Sequence, residues 1–347
     1  MKHRLAALLL ALGWSCALLP AFAADPLLER ARLHFDPLPD HPPDRPANPV
    51  TPEKVRLGKT LFFDPRISRS QAVSCHTCHN LSLWGVDRQE TSIGHAWQRG
   101  PRNAPTVLNA VFNLAQFWDG RARDLAEQAG VPIQSPLEMA ASKAYVVQVL
   151  SSMPGYLRLF REAFPGEADP VTFRNATLAI EAFEATLLTP GAPFDRFLQG
   201  DPDALTPEQR KGLALFMDKG CAACHMSLNV GGNGYYQFGV ADAPPAGVCP
   251  STDPGREAVV ETITCEFVFK APSLRNVAMT PPYFHSGKVW DLHTAVAIMG
   301  SAQLGLRLAP GEVTLVTRFL ESLTGRPPVV TLPELPPATD RTPPPAP

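Results

Sequence analysis

Two short segments carry side chains whose types and order admit little chemistry besides one. Cys75-His76-Thr77-Cys78-His79 and Cys221-Ala222-Ala223-Cys224-His225 each set two thiols three residues apart, with a histidine directly after the second. Cys-x-x-Cys-His is the attachment signature of a c-type haem: each thiol adds across a vinyl group, and the adjacent imidazole becomes an axial ligand of the iron. Zinc is the competing metal, because it takes the same ligand types. The fixed order and its repetition, together with an export signal at the N-terminus, favour haem. Cys75, Cys78, Cys221 and Cys224 are therefore candidate haem-binding residues, and His79 and His225 candidate iron ligands.

The chemistry open to such an iron depends on its other face. A second imidazole favours the oxidised metal, whereas a thioether favours the reduced metal and raises the potential. His95 follows the first motif and is the candidate second ligand there. For the second haem, Met279, Met299, His285 and His293 are all available. Spacing alone does not choose among them. Met226, adjacent to His225, can hardly reach the opposite face.

The elements that must position these residues read as helices. Thr51-Pro52-Glu53 opens one that runs to about Phe63, with threonine as N-cap and proline in the first turn. Phe173, Ala176, Ile180, Phe183 and Leu187 recur at three and four residues, giving one apolar face on a helix from about Val171 to Leu188. Val313, Val316, Leu320 and Leu323 repeat that pattern. Residues 25–35 suggest a short helix and the proline-rich stretch 36–50 an extended arm. Strand signals are sparse; Val259–Ile263 and Phe267–Phe269 are expected to pair as a small hairpin.

The chain also repeats itself. Thr206-Pro207-Glu208 repeats the opening at Thr51, and Gly212–Asp218 matches Gly58–Asp64. Ala104–Leu125 aligns without gaps on Ala271–Leu292, with Asn109/Asn276, Phe117/Phe284 and Gly120/Gly287 coinciding. One haem module has been duplicated in tandem. The differences matter most: Trp118 stands where the second copy has His285. The first copy has His95 after its motif, and the second has the Gly231-Gly232-Asn233-Gly234 loop. The expected fold is all-α, two tandem cytochrome c-like haem domains with little β structure. Residues 24–50 are the arm, 51–190 the first domain, 191–326 the second, and 327–347 a proline-rich tail expected to be disordered.

At 347 residues the chain can build two cores of ordinary size. A formal charge of −2 points to neither nucleic acid nor an anionic membrane surface as partner. Lys2 and Arg4, the apolar run Leu5–Leu19 and Ala21-Phe22-Ala23 read as a secretory signal peptide over residues 1–23, cleaved near Ala23. No other apolar stretch approaches the ~20 residues of a membrane span, so no membrane insertion is expected after cleavage. Of seven cysteines, Cys16 leaves with the signal, and Cys249 and Cys265 are left over in a compartment that permits disulfides. A bridge between them would close a loop of about 15 residues, worth roughly 3 kcal/mol; the alternative is two unrelated thiols.

From about Thr51 to Gly325 the chain closely resembles the bacterial di-haem cytochrome c peroxidases. The resemblance is carried by Ser74–Asn80, Thr91-Ser92-Ile93-Gly94-His95, Arg102-Asn103-Ala104-Pro105-Thr106, Gln116-Phe117-Trp118-Asp119-Gly120, Ala129-Gly130, Pro136-Leu137-Glu138-Met139-Ala140, Met217–Cys221, Pro282-Tyr283-Phe284-His285 and Ile298-Met299-Gly300-Ser301. It implies that His79 and His95 ligate a low-potential, peroxidatic haem, and that His225 and Met299 ligate a high-potential, electron-accepting one. It implies further that Trp118 lies on the electron route, that Gln128 and Glu138 face the peroxide pocket with Glu138 as acid–base group, and that Asn103, Thr280 and Pro282 hold calcium. His285 matches a position near the second haem. The implied activity is periplasmic reduction of hydrogen peroxide with electrons from a small cytochrome c or cupredoxin, in a homodimer, after His95 leaves its iron. The alternatives are the related di-haem oxidase that matures methylamine dehydrogenase, which uses a tyrosine where Met299 stands here, and a non-catalytic di-haem electron carrier.

Overall fold

The computed structural model describes residues 25–260, 264 and 266–346. The expected signal peptide lies outside the described residues, and so does the Cys249–Cys265 bridge, because Cys265 is not described. Helix α1 (Pro26–Arg32) is followed by a stretch without helix or strand up to α2 (Pro52–Phe63). The single turn α3 (Cys75–Cys78) carries the first pair of thiols, and α4 (Leu125–Gln134), α5 (Lys143–Ser151), α6 (Pro154–Ala163) and α7 (Phe173–Glu184) follow. Next come α8 (Pro193–Leu198), α9 (Pro207–Asp218), strand β1 (Tyr235–Gln237), α10 (Glu257–Val260), strand β2 (Val268–Lys270), α11 (Leu292–Leu304) and α12 (Pro310–Glu321). The described chain is mostly helical, with one two-stranded sheet.

The helices gather round two apolar cores. Leu57, Leu61, Val149, Tyr156, Phe160 and Ile180 centre the first, and Phe194, Phe197, Phe216, Phe319 and Leu320 the second. Each core is crossed by an equivalent helix pair, and each crossing is made at a glycine. A Cβ on Gly58 of α2 would lie 1.8 Å from the carbonyl oxygen of Ala179 on α7, and one on Gly212 of α9 would lie 1.9 Å from that of Leu315 on α12. Only glycine lets the backbones approach this closely. The duplication is also visible between the modules. Asn109 and Asn276 share a left-handed backbone, and both side-chain amides donate to the buried Thr189 hydroxyl, at 2.8 and 2.9 Å.

Three expectations are corrected. The expected hairpin is replaced by another pairing: Val268–Lys270 pairs antiparallel with the distant Tyr235–Gln237, while Val259 and Val260 turn back onto the carbonyl of Arg256 as part of α10. A short apolar run does not reveal by itself whether it is strand or helix. The arm contributes to the interior: Phe35 joins the second core, Leu38 is buried, and the Leu38 amide donates to Asp195 at 3.0 Å. The tail is an ordered strap laid over the first module. Arg66 donates to the carbonyl of Pro336 and Gln71 to that of Pro343, both at 2.7 Å, and Thr339 donates to that of Ser152 at 3.0 Å. Proline presets its extended backbone, so little chain entropy is lost when it docks.

Candidate functional site

In the first module the chain turns at Ser74, whose amide donates to Thr77 Oγ1 at 3.0 Å, and α3 then delivers Cys75, Cys78 and His79. His79 Nδ1 lies 3.3 Å from the carbonyl oxygen of Gly85. That contact assigns the proton to Nδ1 and leaves the Nε2 lone pair free for a metal. Burial lowers the pKa of His79, which keeps the ring neutral.

His95 comes from a separate loop, closed by a bridge between Ile93 and Arg99 and strained at Ala96 and Trp97, where φ is +52° and +62°. The His95 amide donates to the main-chain carbonyl of Glu138 at 2.7 Å. A Cβ on Gly94 would lie 2.2 Å from the carbonyl oxygen of Leu137, so the loop can seat there only with glycine at that position. His95 Nδ1 is buried without a hydrogen-bond partner among the described residues. Burial raises the Glu138 carboxyl above its ordinary value, against the opposing pull of the Ser135 hydroxyl and the Arg121 charge. Burial likewise raises Cys78, which also feels the Ser92 hydroxyl and the charges of Asp87 and Glu138. Glu138 thus acts on Cys78 through its charge and on His95 through its main chain. Gln128 stands half-buried on α4, and its side chain makes no hydrogen bond among the described residues.

In the second module Cys221, Cys224 and His225 open onto a large, mainly apolar cavity that also takes in Met299 from α11. His285 and Trp118 stand in its wall; Met279 and His293 do not line it. Burial brings His225 down to about 4, only partly offset by the carbonyls of Val230 and Pro272. Gly231 makes that approach possible, since a Cβ there would lie 2.1 Å from the oxygen of Pro272. His285 stacks on Phe269 at 4.1 Å, and burial brings it also to about 4.

Trp118 is held by both modules. Its indole N–H donates to the carbonyl of Asn103 at 2.9 Å, and its own carbonyl accepts from the Lys270 amide at 2.7 Å. Asn103 in turn donates through its amide to the carbonyl of His285 at 2.8 Å, and through its side chain to that of Gln89 at 2.9 Å. Arg102 bridges Asp119 and Asp253 across the same seam. The residue types gave no notice of the Arg102–Asp253 pair or of Lys270; the partners lie too far apart in sequence.

Asn103, Thr280 and Pro282 line the same cavity. Among the described residues, no donor reaches the Asn103 side-chain oxygen or the main-chain oxygens of Thr280 and Pro282. No group of three His, Cys, Asp or Glu among the described residues could hold a metal. Three neutral oxygens without donors suit a hard cation.

The family model for di-haem cytochrome c peroxidase matches residues 52–203. Cytochrome c551 peroxidase of Pseudomonas aeruginosa is 54% identical over 327 residues, covering 94% of this chain and 94% of its own. The chain belongs to the di-haem cytochrome c peroxidase family. Cytochrome c551 peroxidase of Nitrosomonas europaea is 47% identical, covering 87% of this chain and 90% of its own. Methylamine utilization protein MauG of Methylorubrum extorquens is 40% identical over 86% of each chain. A solved structure, of a MauG-like protein associated with microbial copper homeostasis, superposes with a TM-score of 0.75 at 27% identity, covering 83% of this chain and 93% of its own. This di-haem peroxidase is thus an oxidoreductase, and its family implies two c-type haems. Its residues fit them: paired thiols, neutral buried imidazoles with the metal-binding nitrogen free at His79, and an apolar cavity at the second motif. No described helix is long and apolar enough to cross a membrane.

Proposed function

We propose that the protein reduces hydrogen peroxide to water outside the cytoplasm, with electrons from a small redox protein, a cytochrome c or a cupredoxin. The observation that carries this reading is the bond between the His95 amide and the Glu138 carbonyl. It puts the removable ligand and the proton carrier on one structural joint. The two haems supply electron storage and the reductive cleavage of the O–O bond. Cys75 and Cys78 would attach the first, with His79 and His95 as the residues to ligate it; Cys221 and Cys224 would attach the second, with His225 and Met299. The thioether makes the second the better electron acceptor.

His95 would close the position that peroxide needs and would have to give it up for turnover. Glu138, as carboxylate, takes a proton from the near peroxide oxygen and passes it to the far one, which leaves as water. Gln128 faces the same pocket. Trp118 lies on the electron route between the modules, and calcium at Asn103, Thr280 and Pro282 steadies the seam beside it. Export by the N-terminal signal and a homodimeric assembly belong to the same reading.

The MauG relatives supply the second reading. The presence of both His95 and Met299 favours the peroxidase, and a passive electron carrier would have no use for a half-buried, proton-retaining carboxyl and a displaceable ligand. The test is peroxide turnover with reduced cytochrome c, with and without pre-reduction and calcium. Turnover that rises on pre-reduction is expected. No turnover under any condition would favour the electron carrier.

A further inference from the structure

We propose that the Lys270 ammonium is the counter-ion of a propionate of the second haem and holds that haem's potential up. The proposal rests on the reading that the cavity at Cys221 and Cys224 contains that haem. Lys270 closes strand β2 opposite Tyr235 and is only 7% exposed. It lines the cavity, where it is the only lysine or arginine among the described residues, and no aspartate or glutamate accompanies it. Its ammonium has no hydrogen-bond or ion-pair partner among the described residues. Burial alone acts on it, bringing it down to about 8 with no acidic neighbour to oppose the shift.

A buried ammonium without an anion is costly, so such lysines are paired or lose their proton. Among the described residues the protein offers this one no anion. A haem brings carboxylates of its own, and the other polar groups near Lys270 on the strand pair, such as Gln237 and Tyr236, are uncharged. Paired in this way, a fixed positive charge near the iron in a low-dielectric cavity disfavours the oxidised metal, which raises the potential. The Lys270 amide is bonded to the Trp118 carbonyl, so the strand that carries the charge cannot drift from the seam between the modules.

Spectroelectrochemical titration of the holoprotein, with haem content measured alongside, tests this. Lys270→Gln should retain two haems and show a lower midpoint potential at the second haem alone, whereas Lys270→Arg should keep the wild-type value. An unchanged second potential in Lys270→Gln with two haems bound, or a fall confined to the first haem, would overturn the proposal. Should Lys270→Gln fail to hold the second haem, a crystal structure of the wild-type holoprotein decides. Lys270 Nζ within hydrogen-bond distance of a propionate oxygen supports the pairing, and its absence overturns it. A wild-type chain with fewer than two haems would instead overturn the reading beneath it.

Discussion

The His95 amide donates to the Glu138 carbonyl at 2.7 Å, and Gly94 alone makes the approach possible. Two loops far apart in sequence are therefore joined at this point. Displacing the His95 ring must be accommodated by the strained turn at Ala96 and Trp97, with the amide still anchored beside Glu138.

In the proposed mechanism Glu138 sets the pH response of turnover. Burial raises its pKa, so the carboxylate proposed to accept the peroxide proton is lost at a higher pH than for an ordinary glutamate. Turnover should fall as pH drops through that raised value. Glu138→Gln should lower kcat/KM by ~10²–10⁴-fold and abolish this acid limb while both haems remain bound. The pH profile of kcat/KM checks it; an unchanged acid limb in the variant would assign the proton to another group.

Calcium should act through oxygens that no donor among the described residues satisfies. Chelation should lower turnover and added calcium restore it. Asn103→Ala should weaken calcium binding by about tenfold or more, a loss of ~1.4 kcal/mol, as read by calcium titration of activity. The bond from the Trp118 indole to the main-chain carbonyl of residue 103 survives that substitution, while the side-chain bond to Gln89 is lost together with the ligand oxygen.

Glu184 makes stability depend on pH in the opposite sense to most carboxylates. Burial, with help from Glu181, raises it from 4.5 to about 8, and its Oε2 has no partner among the described residues. The folded state thus keeps a proton that the unfolded chain gives up. The associated stability is fully present below about pH 4.5 and is lost as pH rises through about 8. Thermal unfolding of Glu184→Gln should be less sensitive to pH across this window than that of wild type, and parallel curves would refute the assignment.

Much of the architecture is legible in the residues themselves. Threonine–proline openings predict α2 and α9, and the register of the repeat alone puts Gly58 and Gly212, or Asn109 and Asn276, in equivalent places. Cys-x-x-Cys-His identifies both attachment sites. What is not legible depends on partners distant in the chain. Lys270 reads as an ordinary strand-end lysine until the cavity is seen, and Arg102 meets Asp253 only when the modules close. The tail misleads because proline-rich composition signals an extended backbone, and an extended backbone can be docked as readily as disordered.

Docking of the tail has a measurable worth. Ending the chain at Pro327 removes the hydrogen bonds from Arg66, Gln71 and Thr339 and exposes the surface at Gly155. At about 0.5–1.5 kcal/mol net for each bond, the first module should lose on the order of 2–4 kcal/mol. Denaturant unfolding followed at the first haem checks this; an unchanged midpoint would mean that the strap contributes nothing.

The most direct test of the account is EPR of the holoprotein, fully oxidised and after uptake of one electron. The account predicts that the oxidised first haem shows the low-spin signature of two imidazoles. On reduction of the second haem alone, that signal should give way to one from an iron open on one face, which His95→Gly shows already when oxidised. A first-haem signal that stays bis-imidazole at half reduction, while the enzyme turns over peroxide at full rate, would contradict it.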